Sequence, residues 1–316
     1  MDLVLMIAIF IAGLILIIKG GGYFVDAASW IAGVSGIPKV IVGATIVSVA
    51  TTMPEMIVSV MAAGQGKADM SVGNAVGSVT ANLGLIMAIA ILCMPGPIRR
   101  RDYFVKSILM LAAAAIIAAA GRRGAVERGL SLLLLAVFGA FLVENVRSAA
   151  AAGGRGRTSR AAPEKRAVLI NGVKFFMGAV GVVLGADLLV DSGSALARLA
   201  GVSERMIGVT IVAVGTSLPE LVTTVAAVVK KQSALSVGNI LGANIIDLTL
   251  ILPLSGLLAG QAMPISAAAG RLDLPACLLV GAAAVLPPMF TRKFQRWQGA
   301  ALLSLYAGYL YLTCQI

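Results

Sequence analysis

The chain contains two copies of one sequence unit, and this repeat constrains its fold more than any other feature. When the chain is shifted by 165 residues, positions 43–86 fall on positions 208–251 without a gap, and 18 of the 44 pairs are identical. The best-matched segments are GATIVSVATTMPE over GVTIVAVGTSLPE, followed by SVGNAVGSVTAN over SVGNILGANIID. A long period of this kind indicates duplicated units that pack against each other.

Each half of the chain forms one such unit and contains about five apolar segments long enough to cross a bilayer. One crossing takes roughly 20 residues. They lie near residues 3–18, 37–63, 71–94, 104–120, 129–147, 167–190, 206–229, 236–259, 272–289 and 297–314. Only 12% of the residues are charged and 59% are hydrophobic, whereas a soluble domain carries about 25% charge. This composition excludes a soluble enzyme. It predicts an all-α integral membrane protein of about ten transmembrane helices with the lipid bilayer as its surroundings.

Five crossings per unit predict an inverted repeat, because an odd number of crossings turns the second copy upside down. Inverted repeats build secondary transporters whose substrate site lies at mid-membrane between the halves. A duplicated scaffold without transport activity is the alternative, but the best-matched positions are polar, which favours transport. We predict a first half at 1–147, a linker at 148–166 and a second half at 167–316.

The basic residues predict the orientation. The chain has 25 Lys and Arg against 14 Asp and Glu and no His, a net charge of +11. With the N-terminus outside, Lys and Arg divide about 18 to 7 in favour of the cytoplasmic segments, which follows the positive-inside rule. A nucleic-acid site would gather these charges on one surface, and here they are spread over many loops. We expect a prokaryotic plasma-membrane protein, with the basic, glycine-rich linker unordered in the cytoplasm.

Three acidic residues interrupt apolar segments: Glu55, Glu220 and Asp247. An ionised side chain at a helix centre costs about 2.5–3.5 kcal/mol, and the repeat cores hold no Lys, Arg or His to compensate. A bound cation is the simplest compensation. Protonated, hydrogen-bonded carboxyls are the alternative, above all for Asp247, because three negative charges in one site repel one another.

The neighbouring residues supply further oxygen atoms. Hydroxyl groups precede both glutamates by one helical turn, and they belong to Thr51, Thr52, Thr216 and Ser217. Pro54 and Pro219 interrupt the backbone hydrogen bonds there, which predicts free carbonyl oxygens near Ser48 and Ala213. An all-oxygen site suits hard cations such as Ca²⁺ and Na⁺, and the absence of thiolate and imidazole ligands argues against Zn²⁺ and Cu⁺.

The next predicted helix of each unit extends the same pattern. Ser78 and Asn82 are four residues apart, as are Ala243 and Asp247, so each pair shares a helix face. Glycines repeat in these helices at four-residue intervals, at positions 73, 77, 238 and 242. Such glycines most often serve close helix packing, so they are a weak signal for a binding site.

These motifs resemble those of a known family. GTSLPE, its variant ATTMPE and the paired GN-x-x-G-[SA] segments are similar to the α-repeats of the cation/calcium exchanger superfamily, in particular its prokaryotic sodium/calcium exchangers. The resemblance implies a ten-helix exchanger whose central site opens to each face in turn. It further implies that the first and sixth helices rock, with their glycine-rich stretches against the core.

Carried over by position, the resemblance implies an ion site made by both halves. Its members are Ser48, Thr51, Thr52, Glu55, Ser78, Asn82, Ala213, Thr216, Ser217, Glu220 and Asp247. The chain departs from the family pattern at several positions. Ala243 replaces a serine hydroxyl, Ala50 a glycine, Thr52 a serine, and Val79 an asparagine that the second repeat keeps as Asn244. The lost oxygen at Ala243 leaves the stoichiometry and the preferred divalent ion open.

Several functions follow from these observations. The leading hypothesis is a Na⁺/Ca²⁺ antiporter with no cofactor besides the transported ions. A H⁺/Ca²⁺ antiporter is the main alternative, and a cation channel is more remote. An intramembrane enzyme would have only Ser217 near Glu220 as a nucleophile and base, and a hydrolytic site has no need of the duplicated pair Thr52 and Glu55. No partner protein is indicated, and the sequence is compatible with a monomer.

Overall fold

The described helices of the second half follow the order of their counterparts in the first half. A computed structural model describes residues 3–153, 163–201, 215–260 and 262–315. The first half contains α1 (Leu3–Ser35), α2 (Lys39–Thr51), α3 (Met53–Gly64), α4 (Ala68–Cys93), α5 (Arg100–Arg123) and α6 (Arg128–Gly153). The second contains α7 (Lys165–Leu199), α8 (Leu218–Val229), α9 (Ser233–Leu258), α10 (Ala269–Thr291) and α11 (Arg296–Gln315).

The described helices account for the predicted spans. Seven of them are long and apolar enough to cross a bilayer, and α2 and α3, which meet at 49°, together form an eighth, broken span. The remaining two predicted spans correspond to the short apolar helix α8 and the C-terminal helix α11. The prediction of an all-α membrane protein with about ten spans is thereby confirmed.

Helices α1 and α7 lie at the periphery and cross each other closely. Both expose large apolar side chains such as Ile15 and Phe176, at 56% and 67%, as a lipid-facing surface requires. At their crossing a Cβ added to Gly20 would lie 2.9 Å from the Val182 backbone nitrogen. The glycines thus mainly bring α1 and α7 together, which corrects the expectation that they lie against the core. Among the glycines at positions 20–22, 178, 181 and 185, Gly21 and Gly22 face α8, at Val222 and Lys230.

Helices α4 and α9 lie at the centre of the molecule. In the most apolar 18-residue stretch of each helix, 72% of the residues of α4 and 83% of those of α9 are buried, against 22% in α1 and 17% in α7. Both contain a π-helical turn, Asn82–Met87 in α4 and Asp247–Ile251 in α9. The two turns begin at equivalent positions of the repeat, and such turns are frequent at functional sites.

Two short strand pairs join the halves. Strand β1 (Gly96–Pro97) pairs with β4 (Lys293–Phe294), and β2 (Ala125–Val126) pairs with β3 (Met263–Pro264), both antiparallel. β1 and β4 follow the third and ninth spans, whereas β2 and β3 follow the fourth and eighth. Each pair therefore joins loops that must lie on the same face, as ten alternating spans require.

The predicted linker is helical at both ends. α6 continues through Gly153 and α7 begins at Lys165, so the expectation that all of 148–166 is unordered is wrong. The run of alanines at 149–152 explains the extension of α6, since alanine is the strongest helix former. The middle of the linker lies outside the described residues, and the boundaries of the two halves stay predictions.

Candidate ion-binding site

Two helix breaks place Glu55 and Glu220 in equivalent settings. α2 ends at Thr51 and α3 begins at Met53, with Thr52 between them and a proline in the first turn of α3. α8 begins at Leu218, also with a proline in its first turn. Proline is tolerated there because the first backbone N–H groups of a helix have no intrahelical partner. Each glutamate thus lies in the first turn of a helix, where the helix dipole favours negative charge.

The three carboxyl groups are buried close to one another. Glu55 is 1% exposed, and Glu220 and Asp247 are 0% exposed. The charges of Glu220 and Asp247 both act on Glu55. Within the described ranges, none of the six carboxylate oxygens has a hydrogen-bond partner, and neither ion pair found there involves these residues. Because buried polar atoms are nearly always paired, this cluster needs cations or protons.

Neutral oxygen atoms from both halves border the carboxyl groups. Asn82 donates from its amide nitrogen to the Asn244 side-chain oxygen at 3.1 Å, and its own side-chain oxygen has no partner among the described residues. The same holds for the buried hydroxyl groups of Ser78 and Ser217. The Thr51 hydroxyl lies beside the Glu220 carboxyl of the other half.

Carboxylates alone do not form a metal site here. In the part of the chain that the structure describes, no group of three acidic, His or Cys side chains is arranged to hold a metal ion. A cation would therefore use one or two carboxylates together with hydroxyl and amide oxygens. Hard cations accept such mixed oxygen ligands.

The Ser48 carbonyl differs from the prediction. It accepts hydrogen bonds from the Thr52 backbone nitrogen at 2.9 Å, the Thr52 hydroxyl at 2.8 Å and the Thr51 hydroxyl at 3.3 Å. The expectation that Pro54 leaves this carbonyl without a partner is wrong, because the Thr52 backbone N–H serves it in the regular helical pattern and the proline removes only the N–H that would reach residue 50. The hydroxyl groups of Thr51 and Thr52 use their hydrogens on this carbonyl and keep their oxygen lone pairs.

Most of the predicted site residues are buried. The buried ones are Ser48, Thr51, Thr52, Glu55, Ser78, Asn82, Ser217, Glu220 and Asp247. Thr216 is half-buried. Ala213 lies outside the described residues.

Two asparagines next to the site were not predicted. Asn74 of α4 donates to the Glu55 carbonyl at 3.2 Å and to the Ser59 hydroxyl at 2.9 Å. Asn239 of α9 donates to the Thr223 hydroxyl at 3.1 Å and accepts from Thr51 at 3.4 Å. The available signal was the Gly-Asn pair, which occurs at the same place in both repeats.

Comparison with known proteins places the chain among ion exchangers. The profile of the family described as Sodium/calcium exchanger protein matches residues 5–146 and 171–315. Sodium/calcium exchanger MaX1 of Methanosarcina acetivorans is 30% identical, and the match covers 96% of both chains. The Putative antiporter CaxA of Alkalimonas amylolytica is 32% identical over the same share of both chains.

A solved structure shares the fold. The sodium-calcium exchanger NCX_Mj, soaked with Na⁺ and Sr²⁺, superposes with a TM-score of 0.84 at 26% identity. The match covers 97% of this chain and 98% of that one. The similarity thus extends over both halves and over the helices that surround the acidic cluster.

Proposed function

The chain belongs to the sodium/calcium exchanger family, and from this premise we propose that it is an antiporter that exchanges Na⁺ for Ca²⁺. The family consists of membrane ion exchangers rather than enzymes. Membership therefore supports cation/calcium exchange at the plasma membrane as the general activity of this chain. The observation that carries the specific proposal is the cluster of three buried carboxyl groups, two from one half and one from the other, without partners in the described ranges.

Competition for the same oxygens would couple the two ions. One Ca²⁺ offsets two carboxylate charges, and two Na⁺ ions offset the same charge. Both loads cannot occupy the cluster together, because they require the same carboxylates of Glu55 and Glu220. An unloaded cluster keeps uncompensated charge in a low-dielectric interior, so the empty carrier should change its accessible face slowly.

The remaining ligands would come from the third carboxyl group and from neutral groups of both halves. We propose Ser78, Asn82, Ser217 and Asp247 as ligands, since their oxygens are buried without partners among the described residues. Thr51, Thr52, Thr216 and the carbonyls of Ser48 and Ala213 complete the proposed set. Thr51 and Thr52 can contribute while their hydroxyl hydrogens bond the Ser48 carbonyl, because their oxygen lone pairs remain available.

Ala243 sets this site apart. It is fully buried in α9, one helical turn before Asp247, and its methyl group offers no oxygen. The equivalent position in α4 is Ser78. We propose that the second half therefore provides one ion ligand fewer than the first. Ala243→Ser should restore that ligand and change the ratio of Na⁺ to Ca²⁺ moved per cycle, which paired isotope fluxes would measure.

The orientation belongs to the same proposal. The basic loops place the N-terminus outside and the central linker in the cytoplasm. In that orientation the loops with β1 and β4 are cytoplasmic, and those with β2 and β3 are external. Thiol labelling of a cysteine introduced next to Lys293, in sealed vesicles of known sidedness, tests this assignment.

A H⁺/Ca²⁺ antiporter is the second candidate. It is favoured by the ability of buried carboxyl groups to carry protons. Purified protein in liposomes separates the candidates when Na⁺, K⁺ and pH gradients are imposed in turn. We expect ⁴⁵Ca²⁺ uptake with the Na⁺ gradient only. Uptake driven by the pH gradient alone would replace Na⁺ by H⁺, and uptake without any counter-ion gradient would indicate a channel.

A further inference from the structure

A cavity of about 870 Å³ is lined by both halves, on the face of the molecule that carries β1 and β4. Its walls are the ends of α4 and α8, the beginnings of α2 and α9, and the two strands. Among the described residues that line it, none is a proposed ion ligand. Its volume is in the range of cavities that hold small organic ligands, so it is a candidate binding site separate from the ion site.

The inner part of the cavity is apolar. It is lined by Met87 and Ile91 of α4 and by Ile240 of α9. Along α9 the lining runs from Ser233 to Ile240, which is about 10 Å at about 1.5 Å per residue. These apolar walls suit a hydrocarbon chain rather than a hydrated ion.

The outer part of the cavity, where the helices begin and end, is positively charged. It is lined by Lys39, Arg99 and Lys231, and none of the described lining residues is acidic. Lys39 donates to the neutral side chain of Gln232, and neither of the ion pairs found in the described ranges includes Lys39 or Lys231. Positive charges repel an entering cation, so this cavity is a poor entrance to the ion site and a better place for an anion.

The first turn of α9 adds donors for an anion. α9 begins at Ser233 with no side-chain cap and no acidic residue in its first turn, so its first backbone N–H groups and its dipole favour a negative charge. Ser236 lines the same cavity. It is 2% exposed, and its hydroxyl group has no partner among the described residues. The backbone, this hydroxyl group and the basic side chains thus fit the same negatively charged group.

We propose that the cavity binds a phospholipid with an anionic headgroup. One acyl chain occupies the apolar part, and the phosphate group lies among Lys39, Lys231 and the first turn of α9. Basic residues between transmembrane helices at a membrane surface attract such headgroups. The linker is a poor occupant, because residues 154–162 contain three arginines and no acidic residue and would add positive charge. The inference does not depend on which ions the chain exchanges.

Cys93 provides a reporter for this site, because it is exposed and lines the cavity. Cys277 and Cys314 are replaced by alanine, and the protein is purified in detergent without Na⁺ or Ca²⁺. The rate at which uncharged N-ethylmaleimide labels Cys93 is measured with added phosphatidylglycerol, with phosphatidylcholine of the same acyl chains, and with inorganic phosphate. We expect phosphatidylglycerol to slow the labelling and the other two additives to leave it unchanged.

The role of the charge is tested with Lys231→Gln. This change should raise the phosphatidylglycerol concentration that halves the labelling rate about fivefold, the effect of one basic residue near an anionic headgroup. Lys165→Gln is the matched control, because this exposed lysine at the start of α7 does not line the cavity. It should leave that concentration unchanged.

A second reporter controls for general attraction of the lipid to basic residues. Val168→Cys is introduced together with Cys93→Ala, since Val168 is 47% exposed, lies close to Lys165 and does not line the cavity. Phosphatidylglycerol should not slow its labelling.

Four results would overturn the proposal. Equal slowing by phosphatidylcholine would show that the charge is not recognised, and equal slowing by inorganic phosphate would indicate a site for free anions. Labelling of Cys93 that no additive slows would show that the lipid does not bind there. Equal slowing at Val168→Cys, or an unchanged response in Lys231→Gln, would show that the cavity and its charge are not what holds the lipid.

Discussion

The fourth and fifth spans are joined by a polar contact in each half, and the two contacts differ in chemistry. In the first half, Lys106 of α5 forms an ion pair with Glu144 of α6 at 2.6 Å. In the second half, the equivalent of Glu144 is Tyr309, which donates to Asp273 of α10 at 3.1 Å. The repeat therefore keeps the place of the contact and changes its partners.

This comparison distinguishes positions that carry the same residue in both repeats from positions at which the residue differs. Position 309 no longer needs a charge, because the phenol donates to a carboxylate on the neighbouring helix. Glu55 and Glu220, in contrast, are the same residue in both halves and have no partner in the described ranges. A structural contact tolerates exchange of partners, whereas a charge kept in both copies without a protein partner indicates a ligand from outside the chain.

The largest expected effect comes from removing these retained charges. Glu55→Gln and Glu220→Gln should each reduce Na⁺-driven Ca²⁺ uptake by more than about tenfold, because a charged ligand contributes at least the 1.5–3 kcal/mol or so of a charge-assisted hydrogen bond. Isotope uptake into liposomes measures the effect. Glu164→Gln, at an exposed glutamate before α7, is the control. Near-normal uptake in both site variants would remove these residues from the ion site.

Breaking the first-half ion pair should give the next largest effect, on stability. Lys106 is fully buried and Glu144 is 14% exposed, so Lys106→Met leaves a mostly buried carboxylate uncompensated, at a cost of about 3–5 kcal/mol. Thermal unfolding in detergent would show a lower midpoint. Tyr309→Phe, which removes one neutral hydrogen-bond donor from the part-buried Asp273 carboxylate, should cost about 1–3 kcal/mol. Equal losses would mean that the charge of the first contact is unimportant.

A close helix crossing and an exposed helix surface give a third comparison. Gly238→Ala forces a methyl group into the Val40 backbone and should cost about 1–3 kcal/mol by overpacking. Gly308→Ala places the same methyl group on the exposed surface of α11, so it should be neutral or slightly stabilising, since alanine favours helix. Unfolding midpoints of the two variants test this order, and a larger loss for Gly308→Ala would contradict the packing described here.

The smallest effect is expected at the end of α8. Lys230 forms an ion pair with Asp26 of α1 at 2.7 Å and donates to the Gly22 carbonyl at 2.8 Å. Both charged side chains are partly exposed, at 31% and 51%, so Lys230→Met should cost only about 0.2–1 kcal/mol, and less at high salt. Lys231→Met is the control, because the described ranges show no ion pair for Lys231. A loss that persists in concentrated salt would show that the pair is not a surface contact.

The fold was largely predictable because its determinants are local or repeated. Apolar length predicts each span, and the 165-residue repeat with five spans per unit predicts the inversion. The extension of α6 through Gly153 was missed because the basic composition around it suggested disorder, although the alanines at 149–152 favour helix. The close crossing of α1 and α7 is a tertiary contact, and the glycine spacing alone did not name the partner helix.

The acidic residues of the candidate site were predictable because charged side chains are rare inside apolar segments. The contacts that depend on side-chain packing were not predictable. Glu55, Glu220 and Asp247 stand out because buried charge is costly. The state of the Ser48 carbonyl depends on the rotamers of Thr51 and Thr52, which the sequence does not give. The partners of Asn74 and Asn239 likewise depend on side-chain positions that the sequence does not give.

The most direct test of the account measures both ions in the same liposomes. Protein is reconstituted into liposomes loaded with ²²Na⁺, and ⁴⁵Ca²⁺ is added outside while both isotopes are followed. The account predicts that Ca²⁺ enters as Na⁺ leaves, that neither ion moves without the other, and that Glu220→Gln stops both together. Ca²⁺ entry with ²²Na⁺ retained inside would contradict a shared site at Glu55 and Glu220.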